Sequence, residues 1–166
     1  STVLLQEKLE AREQAAAKAA GKPPIQFGWH PDLNSWAPAA LFNGMIAPLT
    51  PLPIRGVIWY QGENNTIKNF APIYSRLFPT LIEDWRAHWA QGNFPFIFTQ
   101  IANYNTTPGD GWPIVRNAQR RTLSLVNTGM AVTIDIGDAD NIHPRDKKYF
   151  GHRLALLLER RCLDCE

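Results

Sequence analysis

Three short apolar runs, each followed by a polar turn and then by a segment of helical period, leave few folds open to this chain. Residues 56–61 (Gly-Val-Ile-Trp-Tyr-Gln), 94–101 and 130–134 are rich in β-branched and aromatic residues and read as buried strands. After the first run, Phe70, Ile73, Tyr74, Leu77, Leu81, Ile82, Trp85 and Trp89 recur at steps of three and four, the pattern of an amphipathic helix, with a kink expected at Pro79. After the second, Pro113 opens a helix to about Val126 with Val115, Ala118, Thr122 and Leu125 on one face. After the third, residues 147–161 carry Phe150, Leu154, Leu157 and Leu158 inward. A strand and helix repeated three times require right-handed crossovers, and hence a parallel sheet covered on both faces. Three strands are few for such a sheet, and at least one edge is left exposed. The expected fold is therefore an incomplete three-layer α/β/α sheet, with further strands placed before residue 1 or supplied by a second chain.

The 166 residues suffice for one domain with its own core and are too few for two of ordinary size, so residues 1–166 read as a single, partial domain. Residues 2–20 are good helix formers with a thin apolar face, Leu5, Leu9, Ala16 and Ala20, and Gly21, Pro23 and Pro24 end them. Residues 22–55 are rich in proline and aromatic residues, an irregular segment with one short helical possibility at 39–46. A formal net charge of +2 supplies no basic field for nucleic acid. No stretch approaches the ~20 apolar residues of a membrane span, and the first residues lack the hydrophobic segment of a signal peptide. Cys162 and Cys165 stand alone near the carboxyl terminus, half of a zinc site at most, and after a helix rather than before one.

The candidate chemistry lies in residues 135–146, Asp-Ile-Gly-Asp-Ala-Asp-Asn-Ile-His-Pro-Arg-Asp, at the carboxyl end of the third run, the sheet edge where ligands gather in open α/β folds. Asp140 and His143 are three residues apart, a spacing at which the carboxylate can accept from Nδ1 and leave Nε2 as the proton acceptor of a hydrolase triad. The plainer reading of Asp140 is a turn or helix-cap residue. A second polar cluster, Trp59-Tyr60-Gln61-Gly62-Glu63-Asn64, ends the first run and would open on the same edge. There a side-chain amide can donate to an oxyanion and Gly62 allows close backbone approach, although a polar turn after a strand looks the same. The aspartates do not form a calcium loop: Asp138-x-Asp140 continues with Ile142 in place of a third oxygen ligand.

The motifs at 59–64, 84–86 (Asp-Trp-Arg), 129–137 (Gly-Met-Ala-Val-Thr-Ile-Asp-Ile-Gly) and 140–144 (Asp-Asn-Ile-His-Pro) together resemble the sialate O-acetylesterase family of the SGNH (GDSL-like) hydrolases, over residues 41–158. The resemblance implies an SGNH-like sheet and serine-type hydrolysis of acetyl esters on O-acetylated sialic acid, with acetylxylan or another acetylated sugar as the alternative substrate. It implies no cofactor and no metal. His143 would be the general base and Asp140 its orienting carboxylate; Gln61 falls at the oxyanion-hole position, with Gln where Asn is usual, and Glu63 and Asn64 lie in the same motif. Arg116 can meet a substrate carboxylate bidentately, or form an ordinary helix salt bridge.

The family's amino-terminal Gly-Gln-Ser-Asn block, which carries the nucleophile, has no counterpart here. Ser75 and Ser124 fall within helices, Ser35 lies in the irregular segment, and Ser1 precedes a plain helix. The nucleophile is therefore unassigned, and the chain reads as the carboxyl-terminal portion of a longer esterase, or as one that meets its nucleophile on a second chain. A non-enzymatic reading stands beside this one: an inactive fragment or carbohydrate-binding scaffold that uses Trp29, Trp36 or Trp112 as sugar-stacking faces. The resemblance suggests a secreted, periplasmic or lysosomal setting.

Overall fold

In the computed structural model, which describes residues 2–26, 37–67, 69–106 and 109–163 with side chains described between Lys8 and Arg160, the elements are α1 (Thr2–Ala19), β1 (Val57–Trp59), α2 (Ala71–Trp89), β2 (Phe96–Thr99), α3 (Trp112–Thr122), β3 (Thr128–Ala131) and α4 (Lys147–Leu163). They fall into two compact units, Ser1–Pro51 and Leu52–Glu166. In the first, α1 is exposed along nearly all its described length, as its thin apolar face predicts, and Ala17 is its buried residue. The Gln14 Oε1 accepts from the backbone N–H of Ile25 at 3.0 Å and so folds the chain back beyond the helix end. A π-helical turn, Phe42–Ile46, falls within the short helical stretch expected at 39–46, and a 3₁₀ turn, Ala47–Leu49, extends beyond it.

The second unit carries the sheet, three parallel strands in the order β1-β2-β3. Val57 pairs with Phe96, and Phe96 in turn with Thr128, so the strands run in step and their carboxyl ends share one edge. Period-two alternation along β2 divides the core between two helical layers. Phe98 points to α2, with its ring 4.9 Å from Phe78 and edge-on to it, whereas Ile97 packs with Ala131 and Leu154 of α4. All four β2 residues are buried, which is why a continuous apolar run rather than an alternating one marks the central strand. At the sheet's edge Trp59 joins this aromatic layer, 5.6 Å from Trp85, while Ile58 on the opposite face stays exposed.

All three strands are shorter than their apolar runs. The third begins two residues earlier and stops at Ala131, because the Thr133 hydroxyl donates to the carbonyl of Gln100 at 2.5 Å and draws the chain off the ladder. Helix α2 runs unbroken through Pro79.

Arg86, near the carboxyl end of α2, is 7 % exposed and ties three segments together. Its Nη2 donates to the carbonyls of Phe94 at 2.8 Å and Asn127 at 3.1 Å, and its Nε donates to Phe94 at 3.2 Å. Burial pulls its guanidinium below the ordinary value, with Glu83 opposing. The residues leading into β2 and β3 are thus fixed by one side chain. Since a hydrogen bond from a charged group is worth about 1.5–3 kcal/mol, Arg86→Met is expected to lower unfolding stability by about 2–4 kcal/mol in a urea titration. A change within about 0.5 kcal/mol, the range of ordinary surface substitutions, would show that the clamp is dispensable.

Candidate active site

Residues 135–143, beyond β3, are shaped by two side-chain turns and hung from the loop that follows β2. The Asp138 carboxylate accepts from the N–H of Asp140 at 3.0 Å, and the Asn141 side chain accepts from the N–H of His143 at 2.9 Å, each closing a tight turn. The neighbouring loop supplies three further bonds. Asn103 Oδ1 accepts from the N–H of Gly137 at 2.9 Å, the N–H of Asn105 donates to the carbonyl of Ala139 at 2.9 Å, and Asn105 Nδ2 donates to Asp140 Oδ1 at 3.3 Å.

Gly137 is required by this suspension. A Cβ there would overlap the carbonyl and side-chain oxygens of Asn103 and come within 2.8 Å of its backbone nitrogen. Overpacking of that kind typically costs about 1–3 kcal/mol. Gly137→Ala is expected to destabilise the unit by that amount and to shift the amide resonances of residues 138–143, whereas unchanged resonances there would contradict the close approach.

The residues after β1 form a 3₁₀ turn, Glu63–Thr66. Gly62 before it has φ 150°, and a Cβ would lie 2.9 Å from Ile101 Cγ2 and 3.1 Å from Gln119 Nε2. The close approach expected at Gly62 therefore exists, and its partners are the protein's own Ile101 and Gln119. Gln119 is fully buried and spans two loops: Oε1 accepts from the N–H of Ile101 at 3.0 Å, and Nε2 donates to the carbonyls of Gln61 at 3.1 Å and Thr99 at 3.3 Å. The Gln61 side chain is held as well, its Nε2 donating to Asn65 Oδ1 at 2.6 Å and its Oε1 accepting from the Tyr74 hydroxyl at 3.3 Å. One of its two amide hydrogens is left for another acceptor.

The two loops meet. Tyr60, Gln61, Glu63, Asn64, Ile142, His143 and Lys147 line one open pocket of about 400 Å³, within the range of small-molecule sites. Behind the lining, the Tyr60 ring is stacked on Phe150 with centroids 5.2 Å apart, joining the loop after β1 to the first turn of α4. Burial, reinforced by the Glu63 carboxylate, pushes the Tyr60 hydroxyl up to about 12, so it is a neutral donor throughout the physiological range. Thus His143, Gln61, Glu63 and Asn64, separated by about eighty residues of chain, share a pocket.

Two expected members stand apart from it. Asp140 makes no hydrogen bond to His143; its carboxylate is taken by Asn105, and among the described residues the His143 ring has no hydrogen-bond partner. Arg116 does not line the pocket, and among the described residues it forms no salt bridge. Its Nη2 donates to Gln100 Oε1 at 3.2 Å, Gln100 returns a bond to the Arg116 carbonyl, and burial lowers the guanidinium's proton affinity. Trp112 is 7 % exposed, with Nε1 donating to the Ala102 carbonyl at 2.8 Å, so it anchors a loop rather than offering a face for a sugar. Ser1, Trp29, Ser35, Trp36 and Cys165 lie outside the described residues, as does the Cys162 side chain. Gln119, Asn103 and Asn105 are the residues sequence reasoning missed. Their one legible signal is position, since the two asparagines follow directly on the carboxyl end of the second apolar run.

A family model described as a carbohydrate esterase, sialic acid-specific acetylesterase, matches residues 19–158. The chain belongs to this family. Sialate O-acetylesterases of Mus musculus and Homo sapiens are 39% and 38% identical to it over 137 residues, covering 71% of this chain and 25% and 26% of theirs. The crystal structure of a carbohydrate acetylesterase from Xanthomonas citri superposes with a TM-score of 0.69 at 38% identity, over 87% of this chain and 38% of that one. The chain thus spans about a quarter of the length of the curated relatives it matches. The sheet, its parallel order and its flanking helices agree with the SGNH-like architecture that the motifs imply.

Proposed function

We propose that this esterase-family chain carries the base and part of the oxyanion-binding side of a carbohydrate O-acetylesterase acting on O-acetylated sialic acid. The observation that carries the reading is the shared pocket: His143 and the Gln61–Asn64 turn, the two motifs of the resemblance that bear polar chemistry, open onto the same space. In the reaction a serine oxygen attacks the acetyl carbonyl while His143 removes its proton. The remaining Gln61 amide hydrogen meets the oxyanion, and His143 returns the proton to the sugar oxygen as that bond breaks. Water, activated by the same ring, then releases acetate. Asp140 orients the imidazole. Its bond to Asn105 is long at 3.3 Å, and catalytic hydrogen bonds often tighten only around bound substrate.

The described serines do not supply the nucleophile to this pocket, for Ser75 and Ser124 both line a different groove between α2 and α3. The reading therefore places the serine on residues outside those described, on the same polypeptide or on a partner chain. The same observation favours a second reading, in which the chain by itself binds the sugar without hydrolysing it. Assay with 4-nitrophenyl acetate of the chain alone and together with the serine-bearing residues, alongside NMR titration with sialic acid, separates the two. Under the first reading, turnover is lost in His143→Ala and appears only with the serine-bearing residues present. Under the second, sugar binding shifts residues 60–64 and 142–147 and no combination produces turnover.

A further inference from the structure

Lys147 is the first residue of α4 and lines the pocket beside His143. Its ammonium lies 5.0 Å from the centroid of the Tyr60 ring and 5.2 Å from that of Phe150, a cation held over two stacked aromatic rings. Among the described residues it has no carboxylate partner, although Glu63 lines the same pocket and Asp146 precedes it in sequence. The Tyr60 hydroxyl, which lines the same pocket, stays protonated and adds no negative charge to it. A positive centre set over these rings, with no carboxylate at ion-pair distance among the described residues, is suited to an anion that enters the pocket with the ligand. Arg116, the cation that sequence reasoning offered for such a role, is engaged with Gln100 outside the pocket.

We propose that Lys147 is a specificity-determining residue that receives the carboxylate of an acidic sugar and thereby separates acidic from neutral acetylated sugars at this site. The assignment rests on the pocket being the sugar site of the proposed esterase. The aromatic pair orients the ammonium; the ammonium then fixes one end of the sugar while its acetyl group is directed toward His143. Neutral sugars such as acetylated xylose have no group for Lys147 to meet, and would bind through the remaining polar contacts alone.

The test is NMR titration of the chain with two ligands that differ only at the carboxylate, the α-methyl glycoside of N-acetylneuraminic acid and its uncharged methyl ester. A hydrogen bond to a charged partner corresponds to a factor of roughly 10 or more in affinity, so the acid is expected to bind at least about tenfold tighter than the ester. Lys147→Met is expected to erase that ratio, and Lys147→Arg to restore part of it, which a general loss of structure would not do. Equal affinity of the wild type for acid and ester, a ratio that persists in Lys147→Met, or binding of neither ligand would each overturn the proposal. Hydrolysis of 4-nitrophenyl acetate reports separately on the esterase reading. Measured with the serine-bearing residues present, turnover dependent on His143 without acid discrimination sinks the Lys147 assignment alone, and acid discrimination without any turnover sinks the esterase reading alone.

Discussion

Replacing Gln119 by leucine is expected to remove about 2–4 kcal/mol from the stability of the unit that carries the sheet, on a value of about 1–3 kcal/mol for each buried polar group left unsatisfied. Leucine is close to glutamine in volume, so no large cavity opens and the change isolates the hydrogen bonds. The N–H of Ile101 loses its partner outright, since Gln119 Oε1 is the acceptor it uses. The Gln61 carbonyl keeps the Tyr74 hydroxyl at 3.2 Å, whose one hydrogen it shares with Gln61 Oε1, and this partly limits the loss on that side. Burial pushes that hydroxyl up to about 12, so the remaining bond is insensitive to pH in the neutral range. The measurement is a urea titration paired with hydrogen exchange at Ile101, whose amide is expected to lose protection selectively. Full protection at Ile101, with stability within about 0.5 kcal/mol of the wild type, would show that the loops after β1 and β2 hold without this brace.

The bracing is what the primary structure concealed. The alternation of apolar runs and helical periods made the parallel sheet and its two helical layers readable, because burial on both faces of β2 leaves its own mark in composition: Phe96, Ile97 and Phe98 are all fully buried. Strand ends were not readable, since they are set by side chains distant in sequence, Gln119 reaching Ile101 and Gln61, and Thr133 reaching Gln100. On α3 the eye falls on Arg116 for its charge, yet Gln119, one turn further along the helix, links the two loops. The meeting of residues 59–64 with His143 was foreseeable once the strands were parallel, because their carboxyl ends must then share an edge. The pairing of Asp140 with His143 was expected from three-residue spacing, and the structure instead gives Asp140 to Asn105, a partner thirty-five residues away. Spacing within a loop sets which contacts are possible; the bonds between loops select among them.

The largest expected effect belongs to His143. Its ring is on an exposed residue at the rim of the pocket and carries no structural hydrogen bond among the described residues, so truncation to alanine should leave the fold intact. Loss of a general base lowers rates by roughly 10²–10⁴-fold, and because in the proposed reaction the ring acts on the transition state, the fall is expected in kcat with KM little altered. Asp140→Asn is expected to give a smaller loss, since in the proposed reaction Asp140 acts only by orienting the ring once its bond to Asn105 is exchanged for one to His143.

The deciding measurement is therefore acetate release from an O-acetylated sialoside by the polypeptide that unites this chain with the nucleophilic serine, compared between wild type and His143→Ala under one set of conditions. The account expects a fall of at least about 100-fold, with the circular dichroism spectrum unchanged. Equal rates would contradict it, and with it the assignment of the pocket between residues 60–64 and 142–147 as the place where the ester is cleaved.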